Sequence, residues 1–195
     1  MKREAEVRRQ TAETAVDVVL SIEGRGRHAV STGIPFFDHM LRLFAAHGFF
    51  DLKIAAKGDI EVDFHHTMED VGLVLGEAFD RALGDRKGIR RFGFAPTPMD
   101  EALARVTLDL SKRPYLVYHI PRSVRTADDS FLSLAKEFFR AFATRGGMNL
   151  HIEVPYGENN HHISEAIFKS TGRAMDAACT IDERLSGVLS TKGTL

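Results

Sequence analysis

Apolar positions recur along the chain at two alternating periods, and the pattern runs twice. Between Phe37 and Ile54, the residues Met40, Leu41, Phe44 and Ala45 fall at helical spacing. Gly48 supplies a stop, and the segment from Phe49 to Ile54 then alternates as a half-buried strand does. The stretch KEFFRAFATRGGMNLHIEV, starting at Lys136, repeats this plan at a shift of 98 residues. Phe44 meets Phe142, Gly48 meets Gly146, Leu52 meets Leu150 and Ile54 meets Ile152. Each half then carries a second amphipathic helix that opens on a His pair, from His65 to Leu83 and from His161 to Ala178, at a shift of 96. Upstream, Thr14 to Gly24 and Ala104 to Ile120 read as strand hairpins. The predicted order is strand, strand, helix, strand, helix, repeated once, which is an α+β fold with pseudo-twofold symmetry. It predicts one domain built of two halves, about 10–93 and 94–185, followed by a tail over 186–195.

Both second helices carry His-His-x-x-Glu, as His65, His66, Glu69 and as His161, His162, Glu165. Chance provides such a pattern about 0.03 times in a chain of this composition, so two copies point to chemistry. On a helix each His lies three or four residues from the Glu, which brings their side chains to one face. Adjacent His side chains diverge by roughly 100° around the axis, so each pair is expected to serve two different ions. Imidazole and carboxylate without thiolate favour Mn, Fe, Co or Zn. The 98-residue shift sets His39 against Glu137. It predicts two equivalent quartets: His39, His65, His66, Glu69 and Glu137, His161, His162, Glu165. His28, His119 and His151 fall outside the pattern and read as surface or strand residues.

Composition narrows the partners. In 195 residues, 26 Lys and Arg face 27 Asp and Glu, for a net charge of −1. That balance gives no basic excess for nucleic acid. A single Cys179 allows no internal disulfide, as expected in a reducing cytoplasm. No apolar run is long enough to cross a membrane, and the charged MKREAEVRRQ start lacks the apolar segment of a signal peptide. GIRRFG, LSKRPY and STKG each set Arg or Lys beside Gly, Pro or Ser, as suits a phosphate dianion.

With these motifs in hand, the sequence resembles the imidazoleglycerol-phosphate dehydratase family of histidine biosynthesis. The matching stretches are TGIPFFDHML, AAHGFFDL, KGDIEVDFHHTMEDVGLVLGEA, ALGDRKGIRRFG, PMDEALA, LDLSKRPYL, GMNLHI, NNHHISEAIFK and STKG. They run in the family's order over nearly the whole chain. The resemblance implies a Mn-dependent lyase with two metal sites per active site, in a shell of 24 subunits whose active sites lie between subunits. It also implies two sheets flanking a helical layer. It carries over His39, His65, His66, Glu69, His161, His162 and Glu165 as metal ligands, with Glu137 standing where the family has His. Arg91, Arg113, Ser190, Thr191 and Lys192 would hold the substrate phosphate, His47 and Lys169 would line the substrate, and Glu13 would lie near the reacting carbons. Leu43 replaces a frequent Gln, Phe64 replaces a frequent Asp, and the stretch from Arg122 to Lys136 matches poorly. These departures predict altered substrate contacts or altered support for the ligands.

The implied reaction removes water from a glycerol phosphate side chain on imidazole. The proton leaves a carbon with no neighbouring carbonyl, so charge must be stabilised elsewhere. Two metals holding the ring as imidazolate would let it expel hydroxide through a diazafulvene-like intermediate. Glu13 is the expected acid/base, with Glu69 or Glu165 able to serve if released from metal. Two other classes compete on the residues alone. A binuclear hydrolase needs an open water site and an Asp bridge, and a metal store would lack the phosphate-binding loops.

Overall fold

The computed structural model describes residues 2–120 and 130–195, so most of the poorly matching stretch after Arg122 lies outside the described residues. The first half contains β1 (Glu4–Gln10), β2 (Thr14–Ser21), β3 (His28–Ser31), α1 (Pro35–His47), β4 (Asp51–Gly58) and α2 (His65–Leu83). The second repeats it as β5 (Phe92–Met99), β6 (Ala102–Asp109), β7 (Tyr115–His119), α3 (Ser130–Arg145), β8 (Asn149–Tyr156) and α4 (Asn160–Cys179). The strands form two sheets of the same topology, β1-β2-β4-β3 and β5-β6-β8-β7. α1 and α2 pack against the first sheet, α3 and α4 against the second, and the helices meet each other between them. The α+β class, the duplication and the helical layer between two sheets are all as expected.

Each half holds one strand more than the pattern predicts. β1 is EAEVRRQ, in which only Val7 is buried, so it carries no apolar alternation. β5 contains Pro96 and Pro98, which cannot donate to a ladder and are tolerated because β5 is an edge strand. The expected hairpins are corrected as well. β2 is a single strand paired with β1, and β6 and β7 do not pair with each other; they flank β8 on opposite sides. The connection after β6 crosses the end of β8 instead of turning back. β7 then runs parallel to β8, with Tyr115 opposite Asn149.

The central strands bury alternate residues. Val18 and Leu20 of β2 lie opposite Ile54 and Leu52, and Val106 and Leu108 of β6 lie opposite Ile152 and Leu150. Phe44 and Phe142, equivalent under the repeat, meet with ring centroids 6.0 Å apart in the edge-to-face arrangement that aromatic quadrupoles favour. They therefore mark the pseudo-twofold axis. Around it α1 packs on α4 and α2 on α3, so each pair joins one helix from each half. Glycine permits the approach. A Cβ on Gly76 would stand 2.5 Å from the Phe142 carbonyl oxygen, and one on Gly172 would overlap that of Phe44. The buried Arg86 guanidinium donates to the carbonyls of Gly146 and Gly147, at 2.7 and 2.9 Å, and tethers the end of α2 to the turn after α3.

Gly76→Ala and Gly172→Ala are each expected to lower stability by about 1–3 kcal/mol, because helix backbone must move to admit the methyl group. Gly187→Ala, whose Cβ would meet nothing within 4 Å, should stay within about 0.5 kcal/mol of the parent. Urea unfolding of the three variants measures the difference.

Candidate metal and phosphate centre

Pairing helices across the halves decides which of the predicted ligands meet. His39 on α1 and His161 on the first turn of α4 both direct Nε2 at Glu165 Oε1, at 2.9 and 3.0 Å. One donor atom from each of the three lies within 4.8 Å of the others. His39 therefore joins the second half's His161 and Glu165, not the His65, His66 and Glu69 of its own quartet. The quartets name positions equivalent under the repeat, and the packing of α1 on α4 brings a donor of one to donors of the other. Two imidazoles and one carboxylate with converging donor atoms fit a divalent cation of the borderline class. Lys169, one turn along α4, places Nζ 2.6 Å from Glu165 Oε2 and 3.2 Å from Met99 Sδ. Burial disfavours the Glu165 charge, but the Lys169 ammonium and the His39 and His161 rings outweigh it and hold the carboxyl at about 2.

The other predicted ligands lie at the corresponding end of the helical layer or beside it. His65 Nε2 is 3.6 Å from Glu69 Oε2 one turn along α2. Glu137 projects from α3, the helix that packs on α2, and forms an ion pair with Arg140. His66 turns Nδ1 to Asp59 at 3.0 Å, with Glu13 at 3.8 Å. His162 turns Nδ1 to Glu101 at 2.7 Å. The hydrogen bonds to Asp59 and Glu101 raise the pKa of His66 and His162 respectively. Adjacent histidines thus face different groups, as their helical divergence requires. Asp59 and Glu101 escaped the sequence reading because they sit in connections, where no periodicity marks them. Both do fall in matching stretches, Asp59 in KGDIEVDFHHTMEDVGLVLGEA and Glu101 in PMDEALA.

The two departures at the site have local explanations. Phe64 is the N-cap of α2 and caps nothing with its side chain; Asp63 accepts the His65 N–H at 2.7 Å instead. Leu43 packs against the core.

The five predicted phosphate ligands come together. Arg91, Arg113, Ser190, Thr191 and Lys192 line one cavity of about 780 Å³, with Ser111 and Lys112 beside them. Arg91 adopts φ +70° at the mouth of β5 and forms a two-pronged pair with Asp109, at 2.6 and 2.9 Å. Asp109 also escaped the sequence reading. His47 lies elsewhere, in a cavity of about 530 Å³ with Phe49, Phe94, Arg173 and Asp176. Burial and the positive charges of Lys169 and Arg173 lower its pKa. Among the described residues no helix is long and apolar enough to cross a membrane.

A sequence model described as imidazoleglycerol-phosphate dehydratase matches residues 32–175. The chain belongs to the imidazoleglycerol-phosphate dehydratase family. Enzymes of that name from Desulfosudis oleivorans and Trichlorobacter lovleyi are 61% and 57% identical to it, each over 100% of both chains. The crystal structure of the Pyrococcus furiosus dehydratase in complex with (S)-C348 superposes with a TM-score of 0.84 at 37% identity, covering 97% of this chain and 100% of that one. The Staphylococcus aureus enzyme gives 0.80 at 34% identity, covering 92% and 99%. The activity is the family's, dehydration of imidazoleglycerol phosphate in histidine biosynthesis.

The lowered Glu165 pKa predicts that the metal-free protein loses stability in acid. A carboxyl moved from its ordinary 4.5 to about 2 contributes stability that is full above the first value and lost as pH falls through the second. Glu165→Gln should therefore flatten the fall of the urea midpoint between those two pH values, while lowering the midpoint at neutral pH.

Proposed function

We propose that this chain dehydrates imidazoleglycerol phosphate to imidazoleacetol phosphate with Mn2+ at two sites per active site, as a cytoplasmic enzyme of 24 subunits. The observation that carries the reading is the convergence of His39, His161 and Glu165 on one point. The cationic cavity around Arg113 and Lys192 is its complement. His65, Glu69 and Glu137 are the matching donors for a second ion, since α3 packs on α2 as α1 packs on α4. His66 and His162 face away from the His39 group, toward carboxylates of their own. That orientation supports ligands shared between neighbouring copies, with active sites between subunits. The halves at 10–93 and 94–185 then act as one catalytic domain, and the 186–195 tail walls the phosphate cavity.

When bound, the two ions supply the positive charge that a carbon acid with no adjacent carbonyl needs. Arg113, Lys192, Ser190 and Thr191 grip the phosphate, together with Arg91 as it shifts from Asp109. Holding that remote end spends binding energy on orienting the imidazole. Lys169, beside the His39, His161 and Glu165 group that would hold a cation, and His47, from the cavity it shares with Arg173, would line the substrate. Glu13, the most exposed of the candidate carboxylates, removes the side-chain proton as water departs, and the resulting enol tautomerises to the ketone. Glu69 and Glu165 are committed to ions and serve as proton acceptors only if released.

Purified with Mn2+ and supplied with imidazoleglycerol phosphate, the protein should form the keto product and release no inorganic phosphate. Phosphate release without keto product would overturn the lyase reading in favour of a hydrolase. Arg113→Ala is expected to raise KM at least tenfold with metal content unchanged. His161→Ala should lose Mn2+, as measured by elemental analysis.

A further inference from the structure

The sheet registers give Glu13 a counterpart that the helix repeat does not reveal. Leu20 of β2 lies opposite Leu52 of β4, and Leu108 of β6 lies opposite Leu150 of β8. The symmetry that carries Leu52 to Leu150 therefore carries Leu20 to Leu108 and, down the same strand, Glu13 to Glu101. Both carboxylates occupy the turn that opens the long inner strand, Glu13 after β1 and Glu101 after β5. Both face the second histidine of the paired motif in their own half.

Their partners are unequal. Glu101 Oε2 takes the Nδ1 of His162 at 2.7 Å, and its Oε1 accepts the amide N–H groups of Glu158 and Asn159 at 3.2 and 2.8 Å. Glu13 reaches His66 Nδ1 only at 3.8 Å, and its side chain is 58% exposed. Asp59 takes that ring instead, at 3.0 Å. The difference arises in the connections that lead into the His helices. The longer one, residues 59–64, brings Asp59 to His66, whereas the shorter 157–159 lays backbone amides on Glu101. In both halves, then, a carboxylate holds the Nδ1 of the second histidine. An ionised carboxylate can only accept, so the neutral ring carries its proton on Nδ1 and its lone pair on Nε2. Asp100 lies 3.6 Å from His162 Nε2, beyond hydrogen-bonding distance, and is 68% exposed.

We propose that Glu101 and Asp59 are positioning residues that fix His162 and His66 as Nδ1–H tautomers with Nε2 free for a divalent cation, and that Asp59, by taking the His66 ring, leaves Glu13 unbound for proton transfer. The two halves place a carboxylate at the same turn and use it differently. Glu101 is anchored by three donors and orients a ligand; its twin Glu13 receives none of the equivalent hydrogen bonds and stays exposed. The inference rests on the reading of His66 and His162 as ligands and of Glu13 as the base. The competing arrangement is a cation held by Glu13, Asp59 and His66, which lie within 4.8 Å of one another and would use Nδ1 as the ligand atom.

Solid-state 15N NMR of the full-length, metal-free protein labelled at histidine reports each tautomer directly. It is run at alkaline pH, where the rings are neutral, with His66→Ala and His162→Ala variants for assignment. The parent should show both second histidines as Nδ1–H. Glu101→Ala should release His162 from that form, and Asp59→Ala should release His66. Each should weaken Mn2+ binding about 10–100-fold, the usual effect of removing such an outer partner. Glu101→Gln, whose carbonyl still accepts from Nδ1–H, should restore the tautomer and most of the affinity. It also tests the idea if the alanine variant folds poorly. Glu13→Gln should leave both tautomers and Mn2+ affinity unchanged while lowering kcat. An unaltered His162 tautomer in Glu101→Ala, unaltered Mn2+ affinity there, or a His66 ring protonated on Nε2 in the parent would each overturn the proposal. A parent that takes up no Mn2+ would overturn the metal reading beneath it, and the metal-free spectra keep the two failures apart.

Discussion

The arrangement of this protein depends on close contacts of helix backbone with helix backbone across the two halves. Gly76 of α2 seats on the carbonyl of Phe142 and Gly172 of α4 on that of Phe44, at separations no side chain could share. Interiors are packed too densely to absorb an added methyl group there without displacing a helix. The contacts draw each second helix against the first helix of the opposite half and bring Phe44 and Phe142 together on the pseudo-axis. Donors from the two halves are thereby brought together. The α1–α4 pairing delivers His39 to His161 and Glu165, and the α2–α3 pairing sets Glu137 on the helix beside His65 and Glu69.

Charge at the functional centre is matched group by group. Glu165 holds Lys169, Arg91 holds Asp109, His162 holds Glu101 and His66 holds Asp59. Partly buried charges left alone would cost several kcal/mol each, and the fold supplies each with a partner. The matching also keeps side chains aimed. A guanidinium held in a two-pronged pair and an imidazole held at Nδ1 have little rotational freedom left, and the site meets its ligand largely pre-arranged.

Much of this was legible in residue order. Helical periodicity after Phe37 and Lys136, the stops at Gly48 and Gly146 and the repeated His-His-x-x-Glu all report geometry within one element, where spacing alone decides which face a side chain takes. Basic residues beside turn formers are common on surface loops, so the family resemblance was needed to single out Arg91, Arg113 and Lys192, which share a cavity. β1 and β5 were not legible, since one is mostly charged with Val7 as its one buried residue and the other is interrupted by prolines that only an edge strand tolerates. Asp59, Glu101 and Asp109 were also hidden. Carboxylates in turns and at strand ends are common, and nothing in their spacing says what they will face.

Sequence by itself determined the donor types, their placement on helix faces and the twofold repetition, because these follow from intervals of three, four and about a hundred residues. Tertiary structure decided which donors converge. It also decided which of two equivalent carboxylates, Glu13 or Glu101, is tied down. Both outcomes turn on contacts between segments far apart in the chain: a glycine against a carbonyl across the pseudo-axis, and a connection long enough in one half to bring in Asp59 but not in the other. Sequence symmetry predicts equal halves, and packing makes them unequal.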